Sequence, residues 1–159
     1  MKTITMPTAP IEVVGELLKN LIDGPDAVKR LVSPDLTYVG LNTENAELAK
    51  IMPWTGTSRG PQKFLDNLRM MFEQWELQAF NVTTMFASGE NVAVFGDFRY
   101  RSLSVDKVVT SPFAILLRVV DGKVSYFQCL EDSYATAASF RKDGSWTVQT
   151  EPDAAPFQV

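Results

Sequence analysis

The chain begins with helical spacing of its apolar residues and changes to an alternating pattern near residue 76. Apolar residues recur every three or four positions across residues 11–22, across 26–32 and on one broad face of 61–75. A shorter segment with the same spacing, residues 44–52, is halted by Pro53 and predicts an inserted helix where lids are common. Between these segments, residues 36–41 predict a short strand, and residues 53–60 form a turn-rich stretch before Pro61 starts the long helix.

The second half predicts a meander of long antiparallel strands. Alternating patterns cover residues 76–87, 91–105, 107–120 and 124–132, and the Asp121-Gly122 pair favours a two-residue hairpin between the last two. A short helix-forming segment follows. We therefore predict an α+β fold in which a curved, mostly antiparallel sheet packs around the N-terminal helices and the long helix. One domain is expected over residues 1–141, and residues 142–159 are expected to form a C-terminal tail or arm.

Alternation within the strands predicts which side chains face the interior. Phe98 and Tyr100 fall on the apolar face of their strand. In the last strand, Gln128 and Asp132 share the face of Val124 and are predicted to point inward, whereas Glu131 is predicted to point outward. Polar groups inside an aromatic cavity are the usual form of a small-molecule site.

Residues 107–120 are apolar on both faces of their strand, which predicts that the outer face of the sheet is also covered. Exposed apolar faces mark association sites. We therefore expect a homodimer that forms through the open sheet face.

Composition limits the chemistry. The 159 residues are 45% hydrophobic, enough for one domain with a real core, and they contain no His. A Ser-His-Asp triad, a Cys-His pair and an imidazole-ligated zinc site are therefore excluded within one chain, and acid–base work falls to Asp, Glu, Tyr or Lys. Cys129 is the single cysteine, so an internal disulfide is impossible and an inert buried thiol is expected.

Charge and hydropathy limit the partners. The net charge is −4 and the basic residues form no stripe, which disfavours nucleic acid as a partner. The sequence has no apolar stretch of membrane-spanning length, and residues 1–11 lack the apolar run of a signal peptide. A cytoplasmic protein without membrane association is expected.

Several motifs resemble the NTF2-like superfamily, and more closely its SnoaL-like polyketide cyclase and ketosteroid isomerase branch. They are Trp54-x-Gly56-x-x-x-Gly60 before the long helix, Arg118-Val-Val-Asp121-Gly122-Lys123-Val124, and Glu131-Asp132-Ser-Tyr-Ala135 running into Ala138 and Phe140. The resemblance covers about residues 10–141. It implies a cystatin-like cone that encloses an apolar pocket for a small hydrophobic molecule, usually in homodimers. Neither a cofactor nor a metal is expected. The absence of His departs from other members, which place His in the pocket.

The resemblance also implies candidate residues. SnoaL-like cyclases use an aspartate near the end of a late strand as the acid–base group, and Asp132 matches that position. The alternative role for Asp132 is to cap the helix that follows it. Tyr38 and Gln128 are the candidate partners of a substrate oxygen. The candidate pocket walls are Trp54, Phe64, Trp75, Phe98, Tyr100 and Phe113.

Two classes of function remain open at this point. The first is a cofactor-independent isomerase or cyclase that transfers a proton on a small hydrophobic carbonyl compound. The second is a non-catalytic module that binds a ligand or a partner protein. An epoxide hydrolase-like enzyme is ranked below both, because Asp97-x-Arg99 reverses the order that those enzymes use and is predicted to lie on the outer face.

Overall fold

The computed structural model describes residues 9–41 and 44–159 and is built around one large sheet, against which helices pack. The helices are α1 Pro10–Asn20, α2 Pro25–Leu31, α3 Ala46–Ile51, α4 Pro61–Gln74 and α5 Ser133–Ala138. The strands are β1 Val32–Gly40, β2 Gly56–Arg59, β3 Trp75–Ser88, β4 Asn91–Ser102, β5 Val108–Val120, β6 Lys123–Glu131, β7 Thr147–Val148 and β8 Phe157–Gln158. The first eight residues, on which part of the signal-peptide argument rests, lie outside the described residues.

The large sheet has the order β2-β1-β6-β5-β4-β3, and it is curved and not closed. All of its pairs are antiparallel except β1 with β6, which run parallel and bring Tyr38 beside Phe127. The predicted α+β class and the mostly antiparallel sheet are confirmed. The parallel pairing closes the meander against the N-terminal half, so residues far apart in sequence share one interior.

The predicted helices and long strands agree with the observed ones in order, but β1 begins four residues earlier than predicted, and the short strands β2, β7 and β8 were not predicted. Residues 56–59 form the edge strand β2, whereas the sequence predicted turns there. This strand has four residues, starts at Gly56 and is followed by Gly60, and both glycines have positive φ. So short a segment shows too little alternation of apolar and polar residues to be distinguished from a turn. The hairpin at Asp121 and Gly122 is confirmed, since both residues have positive φ.

The faces predicted for β6 require a correction. On β5, Val119 pairs with Val124 but the preceding Arg118 pairs with Tyr126, so Ser125 is an extra residue that forms a bulge in β6. Because side chains alternate with a period of two, one extra residue exchanges the faces of every position after it. The prediction that Gln128 and Asp132 point inward and that Glu131 points outward is therefore wrong.

A cluster of buried aromatic side chains forms the core between the helices and the sheet. Trp75 lies 1% exposed between Tyr100, on which it stacks at 4.9 Å, and Phe140 at 5.1 Å. Its indole N–H donates to Ser139 Oγ at 3.1 Å, which satisfies the one polar atom of a buried tryptophan. This bond and the Ser102 Oγ bond to the Ser139 carbonyl hold the residues after α5 against the sheet.

The last residues form a small separate sheet in which β7 and β8 pair antiparallel. Tyr134 at the start of α5 contacts Trp146 edge to face at 5.4 Å, so this segment packs on the domain. Among residues 9–41 and 44–159, no helix is long and apolar enough to cross a membrane.

Candidate functional site

A cavity of about 110 Å³ lies between α1, α4 and the inner face of the sheet. We call it the inner cavity. Aliphatic and aromatic side chains make up nearly all of its wall, and the lining residues with polar side-chain atoms are Tyr38, Tyr100, Cys129 and Glu131. The lining residues are Leu18, Leu21, Ile22, Tyr38, Leu68, Met71, Phe72, Leu77, Phe80, Phe98, Tyr100, Phe113, Ile115, Phe127, Cys129 and Glu131.

Glu131 reaches the inner cavity because the bulge at Ser125 turns the end of β6 inward. After the bulge, Phe127, Cys129 and Glu131 pair with Leu117, Ile115 and Phe113, which are all buried residues on the inner face of β5. Burial raises the pKa of the Glu131 carboxyl to about 7, a hydrogen bond from Thr136 opposes this shift, and the charge of Asp132 adds to it. Near neutral pH, Glu131 is therefore able both to accept and to give a proton.

Two tyrosines, Tyr38 and Tyr100, line the same cavity as Glu131. Burial raises the pKa of Tyr38 and of Tyr100, and the nearby Cys129 and Glu131 raise both further, so the two phenols stay protonated as hydrogen-bond donors. Gly40 makes room for one of them, because a Cβ atom at Gly40 would lie 2.9 Å from the Tyr38 hydroxyl oxygen. Phe127 and Phe64 pack on the Tyr38 ring at 5.7 and 5.1 Å and fix its position.

The structure brings only one of the three predicted catalytic residues to the cavity. Tyr38 lines it. Asp132 is exposed at the N-terminus of α5, where its carboxylate accepts a hydrogen bond from the Ala135 N–H at 3.0 Å, so its geometry is that of the alternative, a helix cap. Gln128 lies on the outer face, where its side-chain oxygen accepts a hydrogen bond from the Tyr126 hydroxyl at 3.0 Å.

The six predicted wall residues divide evenly. Phe98, Tyr100 and Phe113 line the inner cavity. Trp54, Phe64 and Trp75 are buried in the core that supports it. Half of the lining residues that sequence reasoning missed lie on or just after α1 and α4, and the other half lie on β3, β5 and β6. The apolar residues among them gave no signal that separates a cavity wall from ordinary packing.

Other candidate groups lie as follows. Burial and the charge of Glu131 raise the pKa of the Cys129 thiol, which keeps it protonated and unreactive. Asp97 accepts a hydrogen bond from the Asn81 side chain at 2.9 Å, and Arg99 donates one to the Gln78 side chain at 3.0 Å. Neither residue lines the inner cavity. Within the described residues, no group of three or more Cys, Asp or Glu is arranged to hold a metal ion.

The family profile described as a SnoaL-like domain matches residues 23–127. This chain belongs to the SnoaL-like family. Two fungal proteins are similar in sequence to this chain over most of its length. It is 39% identical to patulin synthesis protein F of Aspergillus clavatus, over 86% of this chain and 71% of that protein. It is 36% identical to patulin biosynthesis cluster protein F of Penicillium expansum, over 87% of this chain and 72% of that protein.

Solved structures place this SnoaL-like chain in the NTF2-like fold. An NTF2-like protein from Burkholderia xenovorans has a TM-score of 0.73 and 20% identity, over 86% of this chain and 100% of that chain. A protein with a ketosteroid isomerase-like fold from Catenulispora acidiphila, solved in complex with trimethylamine, has a TM-score of 0.65 and 17% identity, over 86% and 94%. The predicted NTF2-like fold and SnoaL-like branch are confirmed.

Proposed function

We propose that this SnoaL-like protein is a cofactor-independent isomerase or cyclase in which Glu131 transfers a proton on a small hydrophobic carbonyl compound. The observation that carries the proposal is a single carboxyl that lines an apolar cavity with its pKa raised to about 7. Such a group is poised for proton transfer at carbon. Glu131 takes over the role that the sequence assigned to Asp132.

The proposed reaction uses the chain's own side chains. The Glu131 carboxylate removes a proton from the carbon next to the substrate carbonyl, and the bonding electrons move to the carbonyl oxygen to form an enolate. A hydroxyl from Tyr38 or Tyr100 donates a hydrogen bond to that oxygen as its charge develops. For an isomerisation, the enolate is conjugated with a carbon–carbon double bond, and Glu131 returns the proton to the far end of that conjugated system. For a cyclisation, the enolate carbon attacks a second carbonyl of the substrate, and Glu131 gives the proton to the alkoxide oxygen that forms. Either step regenerates the Glu131 carboxylate.

The comparisons support a small-molecule role. The fungal relatives carry names from patulin synthesis, and a neighbour with the same fold was solved with a small molecule bound. Shared fold alone does not define a reaction, so the proposal rests on the cavity.

Proton exchange at carbon tests the proposal without knowledge of the natural substrate. Small ketones such as acetone and 2-butanone are incubated with the protein in D₂O, and loss of the proton signals next to the carbonyl is followed by NMR. We expect exchange above the buffer rate, and we expect Glu131→Gln to slow it by about 100-fold or more, because Gln cannot accept the proton.

Asp132→Asn is the matched control. Asn caps helices about as well as Asp, so this variant is expected to keep the fold and to exchange within about twofold of the wild-type rate. Full exchange activity in Glu131→Gln, or its loss in Asp132→Asn alone, would show that Glu131 is not the acid–base group.

One observation favours a second role, which is association through the sheet. Phe86, Phe95, Leu116 and Leu130 on the outer face are each between 43% and 53% exposed. Phe86 stacks on Phe95 at 6.2 Å, and the pairings of Phe95 with Ala114 and of Ala114 with Leu130 extend the apolar surface across three strands. We propose that a second copy of the chain covers this face, a role compatible with catalysis in the cavity.

A further inference from the structure

The inner cavity is small for a substrate. A cavity of about 150 Å³ holds one benzene molecule. At about 110 Å³, the inner cavity accommodates a fragment of about five non-hydrogen atoms beside Glu131. A larger substrate must therefore extend out of it.

A second cavity meets the inner one. It is a groove of about 460 Å³ between the end of α1, α2 and α4, and we call it the surface groove. Four side chains line both spaces, namely Leu21, Ile22, Leu68 and Phe72. Phe72 also packs on Tyr100, with 6.4 Å between the ring centroids. The partition between the surface groove and the inner cavity is therefore one layer of side chains thick.

Part of this partition is accessible from outside. Ile22 is 51% exposed just after the last turn of α1, and Leu21 and Phe72 are partly exposed. When a ligand covers exposed apolar side chains at the rim of a cavity, their removal from water favours binding. Because Ile22 and Phe72 line both spaces, rotation of these two side chains is the smallest change that would join them.

Apart from Pro25 and Leu65, the remaining side chains that line the surface groove are polar, and their charges balance. Lys29 on α2 faces a network on α4 in which Gln62 donates to Asp66 at 3.1 Å and Arg69 lies 3.6 Å from Asp66 and 4.0 Å from Glu73. Two cations against two carboxylates give no net attraction for an ion. Exposed ion pairs contribute little stability, so these groups can exchange partners with the hydroxyl or carbonyl groups of a ligand.

We propose that the surface groove is the outer half of the substrate site and that the substrate has two unlike parts. A compact apolar end that carries the reacting carbonyl enters the inner cavity beside Glu131. An uncharged portion with hydrogen-bonding groups stays in the surface groove, between Lys29 and the polar residues of α4. This inference rests on the proposed function for the role of the inner end, but the binding mode is testable without any reaction.

Two series of ketones serve as probes. Simple 2-alkanones from 2-butanone to 2-octanone are compared with chains that end in a hydroxyl, such as 8-hydroxy-2-octanone. Binding is measured by NMR titration of protein labelled at the Ile and Leu methyl groups. The methyl groups of Ile115 report on the inner cavity, and those of Leu21 and Ile22 report on the partition.

We expect 2-butanone to shift the Ile115 signal, and we expect the long hydroxyketone to shift all three signals and to bind at least about tenfold more tightly. Leu65 lines only the surface groove. Leu65→Trp fills the groove and should weaken the long hydroxyketone by about tenfold without an effect on 2-butanone. Gln62→Ala changes an exposed residue and spares the fold, and it should lower the affinity only for the ketones that end in a hydroxyl. Ile51→Trp lies in a separate groove beside α5 and should leave the affinity for both series of ketones unchanged.

Long hydroxyketones that bind no more tightly than 2-butanone, or that are unaffected by both Leu65→Trp and Gln62→Ala, would overturn the two-part site. So would the absence of any shift at Leu21 and Ile22. Proton exchange separates the two proposals, because binding in both spaces without exchange supports the two-part site and contradicts the proposed reaction. Exchange that depends on Glu131 but is unaffected by the groove variants does the reverse.

Discussion

At the scale of single residues, the candidate site contains a carboxyl whose environment opposes its charge. Glu131 lines an apolar cavity, and removal from water raises the free energy of its ionised form more than that of its neutral form. The neighbouring Asp132 stays in solvent as a helix cap, so two adjacent carboxylates have different environments. Different environments of this kind give otherwise similar carboxyl groups different roles.

The raised pKa of Glu131 predicts how stability changes with pH. Its pKa is near 4.5 when unperturbed and about 7 in the folded protein, so between these values the folded state binds more protons than the unfolded state. The free energy of unfolding therefore falls as pH rises from about 5 to 8, by up to about 3 kcal/mol from this group. Glu131→Gln removes this contribution.

Urea unfolding followed by tryptophan fluorescence at pH 5, 6, 7 and 8 measures the effect. The wild-type protein should lose stability relative to Glu131→Gln as pH increases. The pKa of Asp35 is lowered from an unperturbed value of 3.8, so this group changes the stability only below the pH range of the experiment. Parallel pH dependence in the two proteins would mean that the Glu131 carboxyl is not desolvated.

At the scale of elements, irregularities in the strands determine the shape of the site. The bulge at Ser125 selects which residues of β6 face the cavity. A second irregularity lies where β3 passes Gly96, between Val82 and Thr84. A Cβ atom at Gly96 would lie 1.9 Å from the Asn81 carbonyl oxygen and 2.7 Å from the Phe113 ring, so glycine is required there for close approach.

Gly96→Ala is therefore expected to destabilise the protein by about 3 kcal/mol and to distort the cavity wall at Phe113. Gly15→Ala is the control, because its added methyl group would meet nothing nearer than the Met85 terminal carbon at 3.9 Å. In the middle of α1, that change should stabilise the protein by up to about 1 kcal/mol. Chemical denaturation of both variants measures these effects, and equal stability of the two would refute the steric argument.

At the scale of the whole molecule, the sheet separates two apolar surfaces with different surroundings. Its inner face and the helices enclose the candidate site, whereas its outer face exposes a contiguous apolar surface. Surfaces of this kind are uncommon on monomers unless a partner covers them. The homodimer expected from the sequence stays a prediction.

Leu116→Glu tests that prediction. Leu116 is 43% exposed on β5 near the middle of the outer face, and a charge there would be buried without a partner in the dimer. Sedimentation equilibrium at micromolar concentration should give a dimer mass for the wild type and a monomer mass for Leu116→Glu. Ile51→Glu, at a position that is 41% exposed on α3, should remain dimeric. A monomeric wild type would contradict the proposal.

The sequence by itself determined the helices, the long strands and the family. Helical spacing and strand alternation are local properties of the chain, so α1, α4 and the meander were predictable from them. The motifs around Trp54, Asp121 and Glu131 were enough for the resemblance that the family comparison confirmed. The inner positions of Phe98, Tyr100 and Phe113 followed from strands whose alternation is uninterrupted up to them.

Tertiary structure alone decided which carboxylate enters the cavity. Tyr126 and Phe127 are both aromatic, so the sequence is compatible with either register of β6, and only the pairing of Arg118 with Tyr126 reveals the extra residue. Because each later side chain exchanges faces at a bulge, that one residue places Glu131 inside and leaves Asp132 to cap α5. The face on which a strand residue lies depends on the number of residues before it, so one bulge changes the result. The role of a carboxyl, in turn, depends on which groups surround it in three dimensions.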